Sequence, residues 1–386
     1  MAPLIRVIGS LNADMVSVTP RFPEPGETIT ASSYFTSAGG KGANQAVACG
    51  RQSRKKTHNA VPPTEEDQEV RVQMVGAVGA LDGHFASLLK PTLEGSGVDV
   101  SLVRTIPHAY TGVAVIVVDS SAGGENRIFF SPGANYGGMQ PAKDVLATAL
   151  APPVPDVVIM QGEIPVDTVI GILRDIGAWK KKTRAEGKKG IECGPDVLLN
   201  PAPAPPGGLP EDAYHDAIDH LVLNETEAQL MSPPTERLNK TVPGAEDLDE
   251  KERVARYFHT IGVTFVVITL GANGVWYSAA DAGTSGPANG ATRFTDRVPA
   301  SKVAEVVDTT AAGDTFVGTY SVEVARYRER RRASGNADRD LSSEEKIQRY
   351  SRMMDHTMRL ATRASARCVE RQGAMGSIPF EDENGT

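Results

Sequence analysis

The residues with the clearest chemistry lie in Val306-Val307-Asp308-Thr309-Thr310-Ala311-Ala312-Gly313-Asp314-Thr315-Phe316. A short apolar run passes through small residues into a segment with Phe316, Val317, Tyr320 and Val324 at helical spacing. Small residues at 311–313 allow backbone N–H groups to approach a ligand. A helix start leaves those groups unpaired and carries partial positive charge. Together these make an anion site suited to phosphate. A carboxylate beside bound anions is then out of place unless Asp314 takes a proton from an attacking hydroxyl. The plainer alternative is that Asp314 and Thr315 only cap the helix.

Other segments offer polar groups at the ends of short apolar runs. Leu4–Ile8 is a strand pattern that stops at Gly9-Ser10 and delivers Asn12 and Asp14, an amide and a carboxylate able to bind polyol hydroxyls. Ala38-Gly39-Gly40-Lys41-Gly42-Ala43-Asn44-Gln45-Ala46 is a glycine-rich entry into a helix. It is neither a Walker A loop nor GxGxxG, but it permits close backbone approach and adds the point charge of Lys41. Val157–Met160, Val197–Leu199, His220–Leu223 and Phe265–Leu270 each end in polar or glycine residues, delivering Glu163, Asn200, Asn224 with Glu227, and Gly271-Ala272-Asn273-Gly274. Continuous Val/Ile/Leu strands mark a parallel sheet buried on both faces, whose carboxyl ends line one ligand-binding rim. Val72–Val78 adds a strand, and Phe85–Leu93 reads as a helix.

Two further segments are expected to form a small separate sheet. Thr28–Thr36 is rich in β formers, and Thr111–Val118 with Arg127–Phe130 reads as a hairpin. The expected fold is therefore α/β: a single domain over 1–386, a three-layer αβα sandwich with a mostly parallel central sheet, and a β-sheet lid from about 12–37 and 108–132. Residues 51–71, Ser232–Lys251, Ala279–Thr292 and Arg326–Glu345 lack apolar periodicity and read as loops or extended helix ends. The basic run Lys180–Arg184 with Lys188 and Lys189, in the 180–195 insert, reads as a solvated helix end, and Phe380–Thr386 as a loose tail.

The 386 residues carry a formal net charge of −8, which argues against bulk-charge binding of nucleic acid. Cys49, Cys193 and Cys368 are too few and too scattered for a disulfide framework or a zinc knuckle. No apolar run approaches the ~20 residues of a membrane span. The expected location is cytosolic, with a nuclear pool left open.

GSLNAD, GGKGANQA, LNETE, TLGANG and DTTAAGDTF, in this order, resemble the ribokinase-type (phosphofructokinase-B) sugar kinase family from Leu4 to about Pro379. The resemblance implies ATP-dependent phosphorylation of a sugar hydroxyl, with ribose O5 as the first expectation. Other sugars (deoxyribose, fructose), a nucleoside such as adenosine, or a non-catalytic sensor are the alternatives. It implies Asp314 as base and the backbone of Ala311, Ala312 and Gly313 as anion hole. Asn12, Asp14, Gly39, Gly40, Lys41, Gly42, Asn44 and Glu163 become the sugar set. Asn224 and Glu227 become the pair that works with Mg²⁺ near the ATP phosphates. Thr269, Gly271, Ala272, Asn273 and Gly274, with Gly313 and Thr362, become the nucleotide wall. Thr362 stands where members often carry Asn or His. A K⁺ site would draw on Asp308, Thr310, Cys368, Arg371, Gly373 and Ser377. Pairing of the lid sheets implies a homodimer.

Overall fold

The computed structural model describes residues 2–56, 70–121, 125–242, 244–281 and 293–385. Nine strands form one sheet: β1 (Leu4–Ile8), β4 (Arg71–Gly79), β5 (Val98–Ile106), β8 (Val157–Met160), β9 (Asp196–Leu199), β10 (His220–Asn224), β11 (Phe265–Thr269), β12 (Val275–Ala280) and β13 (Arg293–Val298). Their order is β13-β12-β11-β10-β9-β8-β1-β4-β5. All neighbours from β11 to β5 pair in parallel, and only β12 is reversed, pairing antiparallel with β11 and β13. The remaining strands, β2 (Asn12–Thr19), β3 (Ser33–Gly39), β6 (Gly112–Asp119) and β7 (Glu125–Ser131), form a second sheet in the order β3-β2-β6-β7.

The helices are α1 (Lys41–Gln52), α2 (Lys90–Gly95), α3 (Ala134–Gly137), α4 (Lys143–Ala147), α5 (Val166–Ala185), α6 (Glu225–Met231), α7 (Thr235–Thr241), α8 (Glu250–Thr260), α9 (Ala312–Ala333), α10 (Ser343–Gln348) and α11 (Met354–Val369). Strand alternation divides the interior into two cores. Val157 and Ile159 join Ala46, Val47, Phe316, Tyr320 and Met358 on one face. Val158 and Met160 join Ile172, Ile176, Val254 and Phe258 on the other. This is the expected three-layer sandwich, and it explains why the β8 sequence VVIM has no polar phase: both of its faces are covered.

Several expectations need correction. The strand expected over Thr28–Thr36 begins only at Ser33, where Val18 of β2 faces it. Asn12 and Asp14 do lie past the end of β1, but they already belong to β2. The apolar run at Val306 and Val307 is exposed, 57% and 53% accessible. Within 232–251 the chain forms α7, and within 326–345 the expected helix extension runs to Ala333. Lys180 is buried in α5, donating to Asp219 Oδ2 at 2.5 Å and Ala217 O at 3.1 Å. The tail is anchored: Gln52 Nε2 donates to Pro379 O (2.8 Å), and Asn384 Nδ2 to Gln52 Oε1 (2.8 Å). Residues 57–69 and 282–292, from the 51–71 and 279–292 inserts, lie outside the described residues.

Candidate active site

Two helix starts meet beside the carboxyl ends of β8–β10. Gly40 precedes α1 and Ala311 precedes α9. The helices cross so closely at Gly318 that a Cβ there would sit 2.3 Å from Ala48 Cβ, a contact only glycine permits. That crossing brings Asn44 and Gln45 of α1 onto Asp314 in the first turn of α9. Asn44 Nδ2 donates to Asp314 Oδ2 and Gln45 Nε2 to Asp314 Oδ1, both at 2.9 Å. The same Gln45 Nε2 donates to Asn200 Oδ1 (3.0 Å), and Gln161 Nε2 donates to Gln45 Oε1 (2.7 Å). With both oxygens held by fixed amide donors, the carboxylate plane is set before any ligand arrives.

Beside it, Ala311 takes a left-handed conformation, φ +60°. The Ala312 N–H donates back to Thr309 O at 3.3 Å. The N–H groups of Gly313 and Asp314 have no acceptor among the described residues. The free donors of the expected anion site therefore lie one residue further along than 311–313. Ala311, Gly313 and Asp314 line a cavity of ≈ 410 Å³, and Ala312 does not.

The sugar set converges on that cavity. Asn12, Asp14, Gly40, Lys41, Asn44 and Glu163 all line it. Asp14 lies over Gly39, where a Cβ would fall 2.1 Å from its Oδ2. Glu163 Oε2 accepts from Ser10 Oγ (2.6 Å) and Lys41 N (3.0 Å), tying β8 to the start of α1. Gly42 N donates to Ser10 Oγ at 3.3 Å. Asn12 Oδ1 accepts from Asn135 Nδ2 at 2.7 Å. Asn44 Oδ1 is buried without a partner, an acceptor open to a hydroxyl.

Four carboxylates, Asp14, Glu163, Glu227 and Asp314, face this cavity against one cation, Lys41. Burial, then Glu163 and Asp314, push the Asp14 carboxyl up to about 7 against the pull of Lys41. Burial pulls the Lys41 ammonium down, but Asp314, Glu163, Glu227 and Asp14 outweigh it and hold it above its ordinary value. Burial and Asp314 raise Glu227, opposed by the Asn224 N–H and Lys41.

On the nucleotide side, Asn224 and Glu227 line the cavity and form a capping box at the start of α6. Glu227 N donates to Asn224 Oδ1 (2.8 Å) and Asn224 N to Glu227 Oε2 (2.9 Å). Thr269 also lines it. Gly271, Ala272 and Asn273 form an exposed turn after β11, closed by Gly274. Thr362 lies on α11, where its hydroxyl donates to Arg359 O (3.1 Å), and it does not line the cavity.

The residues expected around K⁺ gather behind the start of α9. Asp308 accepts from Thr310 N (2.9 Å), Thr310 Oγ1 (2.6 Å) and Gly373 N (2.9 Å). Cys368 Sγ contacts Thr310 O (3.5 Å) and Ser377 Oγ (3.1 Å), and Arg371 N donates to Cys368 O (3.1 Å).

The sequence places Asn200 at the rim without a partner and does not single out Gln45, which lies within the glycine-rich run. The sequence reading also missed Ile116, Ile128 and Phe130 of the second sheet, which close the cavity from above. A hairpin's alternation shows which residues share a face, but not what that face covers.

Parallel strands delivering acids and amides to one rim, beside a helix start with free N–H groups, define a small-molecule phosphotransferase type of site. Residues 2–381 match the pfkB family carbohydrate kinase, and the chain belongs to that family. It is 34% identical to a ribokinase of Schizosaccharomyces pombe over 97% of this chain and 94% of that one. It is 30% identical to a deoxyribokinase of Salmonella typhi over 82% and 84%. Among solved structures it resembles the Arabidopsis thaliana ribokinase complexed with ribose and ATP: TM-score 0.68, 27% identity, 100% of this chain and 98% of that one.

Proposed function

We propose that this chain is an ATP-dependent ribokinase. It transfers the γ-phosphoryl group of ATP to O5 of D-ribose, giving D-ribose 5-phosphate and ADP. The carrying observation is Asp314: a carboxylate fixed by two amides, beside two free N–H groups, in a cavity lined by hydroxyl-binding side chains. Asp314 accepts the O5 proton as the new O–P bond forms. The bond from the γ-phosphorus to the bridging oxygen breaks, and ADP leaves with that electron pair. The N–H groups of Gly313 and Asp314, aided by the positive end of α9, stabilise the transferring phosphoryl.

The excess of carboxylates over cations suits a divalent cation, and Asn224 with Glu227 would hold Mg²⁺ through waters. Mg²⁺ would neutralise charge on the ATP phosphates. The polar cluster around Asp308, Thr310, Cys368, Arg371, Gly373 and Ser377 is rich in oxygen and suits K⁺. The second sheet acts as a lid, placing Ile116, Ile128 and Phe130 over the sugar. Phe129, 62% exposed beside them in sequence, supports a homodimer through that sheet.

Asn12 and Asp14 are suited to vicinal hydroxyls and favour ribose over 2-deoxyribose, the sugar named by the Salmonella typhi relative. A coupled ADP assay across ribose, 2-deoxyribose, fructose and adenosine, with and without K⁺, tests this. Ribose is expected to give the highest kcat/KM and K⁺ to raise turnover. A higher value for another acceptor reassigns the substrate. Ribose binding without turnover removes the kinase reading.

A further inference from the structure

Asn135 is fully buried, yet it stands just past β7, in the single helical turn of α3 where the chain leaves the second sheet. Leu11 marks the opposite crossing, where the chain leaves β1 and enters β2. It belongs to neither strand, so its buried backbone groups need partners from elsewhere. Asn135 supplies both. The Leu11 N–H donates to Asn135 Oδ1 at 2.9 Å, and Asn135 Nδ2 donates to Leu11 O at 3.2 Å. The same Nδ2 donates to Asn12 Oδ1 at 2.7 Å.

These bonds settle which way two amides point. A backbone N–H can only donate, so the Leu11 N–H fixes the oxygen end of Asn135. The nitrogen end then faces Leu11 O and Asn12, and the Asn12 atom that meets it is the oxygen. Asn12 therefore turns its Nδ2 away from Asn135, and that nitrogen donates to none of the described residues. Asn12 lines the cavity beside Asp314, and Asn135 does not. An Asp at 135 would fail here, because it would set an acceptor against two acceptors.

Packing leaves the pair no other arrangement. Gly112 stands beside Asn12 in the β2–β6 register. A Cβ on Gly112 would fall 2.2 Å from Asn135 Nδ2 and 2.3 Å from Asn12 Oδ1, so any side chain would be driven between the two amides. Asn135 N donates to Pro132 O (3.0 Å) and Ala134 N to Tyr110 O (2.8 Å), which pins the turn against the start of β6.

Direction matters to a ligand. Asn12 and Asp14 are two residues apart on one face of β2. A hydroxyl that accepts from Asn12 Nδ2 keeps its own proton for the Asp14 carboxylate. With the Asn12 amide reversed, two acceptors would compete for that proton and the donor would be gone.

We propose that Asn135 is a positioning residue for sugar recognition, which holds Asn12 with its nitrogen toward the ligand. This rests on the reading of the cavity as a ribose site. Asn135 acts through Asn12 and touches no ligand itself.

The test is a double-mutant cycle read by calorimetric titration of the full chain with ribose. Asn135→Asp is close to isosteric and keeps an acceptor for the Leu11 N–H, but it meets Asn12 with an oxygen. Asn12 is expected to reverse, and ribose affinity to fall at least about tenfold, with kcat at saturating ribose and ATP KM within about twofold of wild type. In an Asn12→Ala background the same change is expected to alter ribose affinity less than about twofold, because no amide is left to orient. An equal loss in both backgrounds overturns the proposal and makes Asn135 a purely structural residue. Unchanged ribose affinity in Asn135→Asp also overturns it. If Asn135→Asp does not fold, Asn12→Asp decides: it keeps an oxygen for Asn135 Nδ2 and turns an acceptor to the cavity. A tenfold loss of ribose affinity is expected there too, and wild-type affinity overturns the proposal. The cycle reads affinity, so ribose binding without turnover removes the kinase reading and leaves this one standing. No ribose binding by the wild type overturns both.

Discussion

The two ends of β9, β10 and β11 are chemically opposite. At the carboxyl ends, four carboxylates face one lysine, and the polar atoms include unfilled ones: two helix N–H groups and Asn44 Oδ1. At the amino ends, cations and carboxylates pair off, and each acid is held by at least one cation or backbone donor. The difference lies in what each end leaves available. Groups at the carboxyl end are fixed by neighbours yet keep an unsatisfied atom for a ligand. Ion pairs at the amino end bind the α5, α9 and α10 ends to the sheet, and they are of the buried kind whose rupture is costly.

That contrast breaks most directly at Asp314. Asp314→Asn keeps the shape but removes the proposed base, and kcat is expected to fall on the order of 10²–10⁴-fold with little change in ribose KM. Steady-state assays check this, and near-normal turnover would return Asp314 to the role of a helix cap. At the other end, Asp196→Asn leaves Arg328 and Arg349 sharing a neutral amide. Denaturant unfolding is expected to show a loss of roughly 3 kcal/mol, while kcat at low temperature stays within about twofold of wild type. A large kcat loss with intact stability would mean that the two ends are not functionally separate. Gln45→Leu falls between these cases. It removes one of two donors that orient Asp314 and is expected to lower kcat about 10–100-fold with ribose KM nearly unchanged. A rise in KM alone would make Gln45 a sugar contact instead.

Much of the catalytic end was legible in the sequence because its determinants are local. A strand covered on both faces has no polar phase, and VVIM followed by Gln161-Gly162-Glu163 announces both the sheet and its rim. The run from Asp308 to Phe316 carries helix start, candidate anion site and acid within nine residues. What stayed hidden depends on partners distant in the chain. Lys180 reads as solvated because Asp219, 39 residues away, is invisible to local patterning. The tail reads as loose because its anchor, Gln52, lies more than 300 residues earlier. Helix α7 starts after Pro234 without a capping side chain, so no start signal marked it. Gln45 and Asn200 were in view as letters, but only the close crossing at Gly318 brings them to Asp314.

The mildest expected effect concerns Asp14, and it separates the two ends by pH. Burial, with Glu163 and Asp314 nearby, lifts this carboxyl to about 7, although Lys41 pulls the other way. In the unfolded chain it would titrate near its ordinary value of about 3.9. Between those values the folded chain holds a proton that the unfolded chain has lost. This group therefore makes stability fall as pH rises from about 4 to 7, the opposite of a paired carboxylate such as Asp196. Arg328, His220 and Arg349 outweigh burial at Asp196 and hold its carboxyl well below the usual range, so its contribution is present above about pH 4 and is lost as pH falls further. For the sugar the sign reverses. In the proposed site the ionised Asp14 would accept from two hydroxyls, and protonation would remove one acceptor, so ribose KM is expected to rise as pH drops below 7. Because the ionised fraction of a group titrating near 7 falls about tenfold by pH 6, the rise is bounded at roughly tenfold between pH 8 and pH 6. Asp14→Asn should raise KM at pH 8 and flatten this profile. A wild-type KM that stays flat from pH 6 to 8 would show that Asp14 reads the sugar equally well in both protonation states, or does not read it at all.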